Sequence, residues 1–253
     1  GGVQPSHLRT IYVRIDMTRF YLRAAYAAVL MASMSFAGHA ADFSPKDQIN
    51  VDDFGENGVI YGDNVNINAS SGPAVSLTGS SSALETYSLQ SSPGGSITIV
   101  GPRNGVSVNN SGKTLYIGAD TTQKVEISSS ESDTKNGVTS DLVLAKKGSL
   151  FVAGKNISIS GVLNKYDDND GLTAIYGVRE SDDLWPSDSS VVIGTESTER
   201  IRIDVKSDRR AVGLMVNIYG EASLEAQDIQ ISSSTNAIEN ASGVAKVGSG
   251  ATV

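Results

Sequence analysis

The sequence predicts an all-β chain, a parallel β-helix (β-solenoid) of about six coils preceded by a signal-peptide helix. Three observations carry this: an apolar couplet that keeps returning, a gapless internal match, and turns rich in Gly, Ser, Asn and Asp. The couplets are Val65-Asn66-Ile67, Ile97-Thr98-Ile99, Val125-Glu126-Ile127, Ile157-Ser158-Ile159, Ile201-Arg202-Ile203 and Ile229-Gln230-Ile231. Each is a strand stub with one apolar and one polar face. Their first residues lie 32, 28, 32, 44 and 28 positions apart, within the period of repeat architectures. LFVAGKNISIS (150–160) lies over ASLEAQDIQIS (222–232) without a gap, at an offset of 72. A β-sandwich, also made of short strands and polar turns, predicts no such match.

From Met17 the chain has the three parts of a secretory signal. Arg19 and Arg23 form a basic start, Ala24 to Ala37 an apolar run, and Gly38-His39-Ala40 a small-residue cleavage site. The run is shorter than the ~20 apolar residues of a membrane span. Residues 17–40 are therefore expected to be a signal peptide and 41–253 the solenoid. Residues 1–16 (GGVQPSHLRTIYVRID) precede the signal. They are expected to be upstream sequence outside the fold, or else an extended n-region to which His7, Arg9 and Arg14 belong. The chain stops at Gly248-Ser249-Gly250-Ala251-Thr252-Val253, within a repeat. A solenoid needs a covered last coil, so a fragment is expected.

After residue 40 there are 16 Lys and Arg against 27 Asp and Glu, a net charge of −11. So acidic a segment is a poor nucleic-acid binder and is not drawn to an anionic membrane by charge. There is no cysteine, and both histidines, His7 and His39, precede residue 41. The expected mature chain thus excludes a Ser-His-Asp triad, a Cys-His dyad and an imidazole-ligated zinc site. No catalytic, cofactor-binding or metal residue is assigned, and no enzyme activity is expected.

Each couplet has companions. Before it comes a second stub, as in Leu115-Tyr116-Ile117-Gly118-Ala119, Leu150-Phe151-Val152-Ala153-Gly154, Val191-Val192-Ile193-Gly194 and Ala222-Ser223-Leu224-Glu225-Ala226. After it comes a third: Ala74-Val75-Ser76-Leu77, Gly105-Val106-Ser107-Val108, Ala174-Ile175-Tyr176-Gly177, Ala211-Val212-Gly213-Leu214 and Ala237-Ile238. Polar pairs such as Lys155-Asn156 and Gln227-Asp228 sit just before the couplets, where the chain must turn. Three stubs per coil describe a β-helix with Val, Ile, Leu and Ala inside. Coils stack at ~4.8 Å, so six give roughly 29 Å. Ile49-Asn50-Val51 and Val216-Asn217-Ile218 are further couplets outside this series.

A signal followed by Gly/Ser/Asn-rich β-helical coils resembles the passenger region of bacterial autotransporters, the type V secretion proteins. The resemblance covers about residues 42–253 and lies in pattern rather than in shared motifs. It implies a right-handed β-helix exported through a carboxy-terminal β-barrel to the outer membrane, cell surface or medium. Nothing near Val253 shows the alternating ~10-residue strands of such a barrel. Truncation before the barrel is the expectation, and membrane contact would run through that missing part alone.

The 44-residue spacing marks an insertion, 164–190. Insertions in repeat proteins become loops on one face. This one holds Trp185, the only tryptophan, with Tyr166, Asp167, Asp168, Asp170, Asp182 and Asp183. These seven are the candidate ligand contacts, with Trp185 as a stacking surface for a glycan or protein. Asp167, Asp168 and Asp170 suit calcium by their oxygens, but the EF-hand pattern fails and no nonapeptide calcium repeat is present. A solvated loop folded onto its coil is the plainer reading. Arg200, Arg202, Lys206, Arg209 and Arg210 form a basic run, ordinarily a solvated strand face.

The function expected is a secreted or cell-surface structural and adhesive passenger that presents loops to host or neighbouring cells. Its partners would be a host glycan, a surface protein or a second copy. The alternative is a β-helix polysaccharide lyase or glycoside hydrolase using Asp, Arg and Lys. That alternative requires carboxylates from neighbouring coils to converge.

Overall fold

The couplets stack into one ladder in the computed structural model of the chain. The structure describes residues 42–44, 48–78, 84–102, 104–129, 140–163, 172–178, 190–207, 211–217, 221–235 and 241–247. Contacts divide the chain into two units, Gly1–His39 and Ala40–Val253, and every described residue lies in the second. The expected signal peptide lies outside the described residues.

The described strands, in chain order, are β1 (Ile49–Asn50), β2 (Val59–Gly62), β3 (Val65–Asn68), β4 (Val75–Thr78), β5 (Thr86–Ser91), β6 (Ser96–Gly101), β7 (Val106–Ile117), β8 (Lys124–Ser129), β9 (Ser140–Val152), β10 (Asn156–Leu163), β11 (Leu172–Val178), β12 (Ser190–Gly194), β13 (Arg200–Ser207), β14 (Ala211–Asn217), β15 (Glu221–Glu225), β16 (Asp228–Thr235) and β17 (Ala241–Val247). All their pairings are parallel. Parallel neighbours need a crossover, and here each crossover is the rest of a coil.

The first face is a sheet in the order β3-β6-β8-β10-β13-β16. Its register aligns Val65, Ile97, Val125, Ile157, Ile201 and Ile229 in one row, and Ile67, Ile99, Ile127, Ile159, Ile203 and Ile231 in a second. Four of the six strands are flanked on both sides. The expected six coils are thus four enclosed turns and two terminal ones. Enclosure decides burial: Val125, Ile127, Ile201 and Ile203 are fully buried, whereas Ile229 on the last strand is 41% exposed.

The second and third faces join in one sheet because β7 and β9 run across the corner between them. The second face aligns Val106, Val143, Ile175 and Leu214. The third aligns Tyr87, Leu115, Leu150, Val191 and Ala222. These rows meet the couplets in one core cluster. No coil could bury its apolar face alone, so stacking supplies the core.

The first coil is covered by the segment before it. Phe43 bridges to Val65 in parallel, with its N–H donating to the Asn64 carbonyl at 2.9 Å and its carbonyl accepting from Asn66 at 2.8 Å. The Asp42 carboxylate accepts from the backbone N–H and side-chain amide of Asn64. A short 3-10 turn, Val51–Phe54, places Phe54 edge-on to Tyr87 at 5.3 Å.

Three expectations change in detail. Ile49-Asn50 is a second-face strand paired with Val75-Ser76, so couplets occur on more than one face. The last second-face strand is Ala241–Val247, in register with β14, rather than a stub at Ala237-Ile238, which lies outside the described residues. The stretch 164–190 is not one connection: β11 divides it and pairs with β9 and β14.

Candidate functional site

The seven candidate contacts, Tyr166, Asp167, Asp168, Asp170, Asp182, Asp183 and Trp185, lie outside the described residues. The topology nonetheless separates them in sequence. Tyr166 to Asp170 precede β11 and Asp182 to Trp185 follow it, so they belong to connections at opposite ends of one strand. The calcium set falls in the first of these. Among the described residues no group of three or more His, Cys, Asp or Glu is arranged to hold a metal.

Of the basic run, Arg209 and Arg210 lie outside the described residues, and Arg200, Arg202 and Lys206 stand outward on β13. Arg200 Nε pairs with Asp228 at 3.2 Å and Arg202 with Asp204 at 3.5 Å, while Lys124 pairs with Glu126 at 2.6 Å on the same sheet. The first face is therefore a nearly balanced, solvated lattice of charge rather than a basic patch.

The described chemistry concentrates at the corner between the third and first faces. From the third-face row to the couplet, this corner takes ten positions in three coils (Tyr87 to Ile97, Leu115 to Val125, Val191 to Ile201) and seven in two others (Leu150 to Ile157, Ala222 to Ile229). The gapless 72-residue match joins two short-corner coils and skips the long-corner coil between them.

The second and third of these long corners share a construction. IGADTTQK (117–124) and IGTESTER (193–200) match at an offset of 76, the offset that also separates the couplets at Val125 and Ile201. Both begin at a glycine with positive φ, 75° at Gly118 and 89° at Gly194. A methyl at either would overlap the next coil's backbone, the carbonyl of Ala153 or of Glu225. Each then closes a turn: Thr122 N–H donates to the Ala119 carbonyl and Thr198 N–H to that of Thr195, both at 2.9 Å. The threonine hydroxyl returns the contact, accepting from Ala119 N–H at 3.1 Å and from Thr195 N–H at 2.9 Å.

Thr122 and Thr198 are fully buried and tie coils together. The Thr122 hydroxyl bonds Ser91 at 3.1 Å on the coil before, and Thr198 donates to the Gly154 carbonyl at 2.9 Å. Above the short corner between them, the long corners meet directly. Thr195 donates its hydroxyl to Asp120 at 2.7 Å, and Lys155 from the short corner reaches the Ser197 carbonyl at 3.4 Å.

Beside this ridge lies the outer surface of the third face. Tyr116, Phe151 and Val192 form one outward row, each between two inward, fully or almost fully buried neighbours. The Tyr116 and Phe151 rings stack at 5.0 Å and 15°. The strand ends next to that row are Gly118, Ala153 and Gly194, with Glu225 paired to Gly194 on the next coil. Burial, with Glu196 nearby, pushes the Glu225 carboxyl above its ordinary value. The residues missed from sequence are thus Asp120, Thr195, Glu196 and Glu225; the 76-residue repeat was the signal for the first three.

Comparison with protein-family models, with curated proteins and with solved structures found no match.

Proposed function

We propose that the chain is the passenger of an exported, cell-surface protein of the autotransporter type. Its task is structural and adhesive: a β-solenoid holds binding side chains out on its corners and faces. One observation supports this most. The coil between Ile157 and Ile201 is the longest, yet β10 and β13 remain in register over all eight pairs from Asn156–Arg200 to Leu163–Ser207. Added chain leaves the stack undisturbed, as a presentation scaffold requires. The test is expression of the encoding gene in a bacterial host, followed by protease shaving of intact cells and a cell-adhesion assay. Surface-accessible protein that raises adhesion is the expected result. Protein retained inside the cell, with no gain in adhesion, overturns the reading.

A second reading, a β-helix polysaccharide hydrolase or lyase, draws on one observation. Glu225 holds its proton more tightly than an ordinary carboxyl and neighbours Glu196, as a general acid beside a second carboxylate would. The coil positions matching Glu225 on preceding coils are Gly194 and Ala153, so the acid is not repeated along the face. Release of reducing ends from polysaccharide, abolished by Glu225→Gln, would establish this reading over the first.

A further inference from the structure

We infer that the third face carries a binding channel for a neutral, hydroxyl-rich glycan chain, running across the coils between Tyr116–Phe151 and the Asp120–Thr195 ridge. The inference rests on the surface-presentation reading above and names the class of partner.

The channel follows from side-chain size at matched positions. One wall is the outward row Tyr116, Phe151 and Val192. Two stacked rings make this row apolar, whereas the matching outward row of the first face carries Asn66, Thr98, Glu126, Ser158, Arg202 and Gln230. The floor between the walls is Gly118, Ala153 and Gly194, none with a side chain larger than a methyl; the two glycines are buried against the next coil and Ala153, half-buried, is the accessible one of the three. The far wall is raised by the second and third long corners, held together by the 2.7 Å bond from Thr195 to Asp120. Glu196 stands exposed on that wall, and Glu225 lies half-buried where the floor meets the last coil.

An apolar wall facing a few convergent polar groups is the arrangement of a small-molecule or saccharide site. Aromatic rings give a sugar's C–H face an apolar surface. Carboxylates and a threonine hydroxyl accept from its hydroxyl groups, and such charge-assisted bonds are the stronger kind. The outward row repeats coil by coil at ~4.8 Å and the long corners of the ridge on alternate coils, which suits a polymer of repeating units over a single compact ligand. Charge selects within that class. Asp120, Glu196 and Glu225, in a chain of net charge −8, repel sulfated and uronate polymers. Lys155 reaches the ridge and is engaged there with the Ser197 carbonyl.

The test uses the full chain, purified, against immobilised neutral hexasaccharides of gluco, manno and galacto configuration. Sulfated and uronate hexasaccharides and hexalysine form the comparison arms. Saturable binding to at least one neutral hexamer is expected, with weaker or no binding to the anionic set. Phe151→Ala should weaken it about five- to tenfold, the scale of one aromatic contact. Ala153→Leu, which fills the floor without touching the core, should abolish it with an unchanged melting temperature. Binding of hexalysine alone, preference for the anionic set, or indifference to both variants overturns the inference. A surface-displayed chain that binds no neutral hexamer defeats the channel and leaves the presentation reading standing. A chain that binds the hexamer but never reaches the surface does the reverse.

Discussion

Replacing Thr198 by valine keeps the shape of the side chain and removes one hydroxyl. That hydroxyl is fully buried and makes two bonds, accepting from Thr195 N–H at 2.9 Å and donating to the Gly154 carbonyl at 2.9 Å. A buried polar group left without its partner costs about 1–3 kcal/mol. Gly154 is buried, so its carbonyl loses most; the Thr195 N–H is half-buried and regains part of its bond from water. The expected loss is about 2–3 kcal/mol of stability. Thr122→Val should cost a similar amount, because Thr122 makes the matching pair of contacts to Ala119 and Ser91. Thr121→Val, at an exposed position of the same corner, should lie within about 0.5 kcal/mol of the parent. Urea unfolding measures all three, with an unchanged m-value as the condition for comparing them. If Thr198→Val and Thr122→Val both unfold with the parent, the long corners do not fasten the coils and the reasoning fails.

Further outcomes follow from the same stack. Gly194→Ala combines positive φ with overlap on the Glu225 carbonyl and should cost at least about 2 kcal/mol, whereas Gly94→Ala, also at positive φ but in open space, should cost about 1; thermal or urea melts compare them. Ile127→Ala, in an enclosed turn, should cost about 2–5 kcal/mol, and Ile229→Ala, 41% exposed on the last strand, clearly less; equal losses in denaturant titrations would contradict the burial order. For Glu225, burial and Glu196 raise the native pKa above the ordinary 4.5, so the native state binds the proton more tightly than the unfolded chain. The contribution of Glu225 to stability is then most favourable below pH 4.5 and falls away as pH rises from there through the raised native value. Glu225→Gln should remove that fall, matching the parent at pH 4 and exceeding it at pH 8 in melting temperature.

The couplets revealed the first face because apolar–polar–apolar spacing is a direct record of a half-buried strand. The same logic found Leu150-Phe151-Val152 and Ala211-Val212-Gly213-Leu214, which lie in β9 and β14. It overlooked Leu142-Val143-Leu144, because this second-face segment runs on into the third face as one strand, β9, its corner marked by Gly148 at φ 124°. It also read 164–190 as one insertion, although Ala174-Ile175-Tyr176-Gly177 had been recognised as a stub within it; the pairing of Ile175 with Val143 and Leu214 makes that stub part of the stack. The corner site stayed hidden for a different reason. Its residues come from four coils, Asp120, Lys155, Thr195 with Glu196, and Glu225, and register alone makes them neighbours. A search tuned to apolar couplets reads past a polar repeat such as IGADTTQK and IGTESTER.

The most direct test of the stack is its register, and a chain without cysteine allows clean crosslinking. Ser158 and Arg202 are Cα partners on adjacent first-face strands, 44 positions apart in sequence, and both side chains point outward. Cysteines placed at these two positions should be joined by a short thiol crosslinker in the folded protein. The same should hold for Arg202 with Gln230, also partners. Cysteines at Ser158 and Lys206, four residues out of register on the same strands, lie ~13 Å further along and should not join. Crosslinking of the out-of-register pair, or of neither in-register pair, would contradict the parallel solenoid on which the account rests.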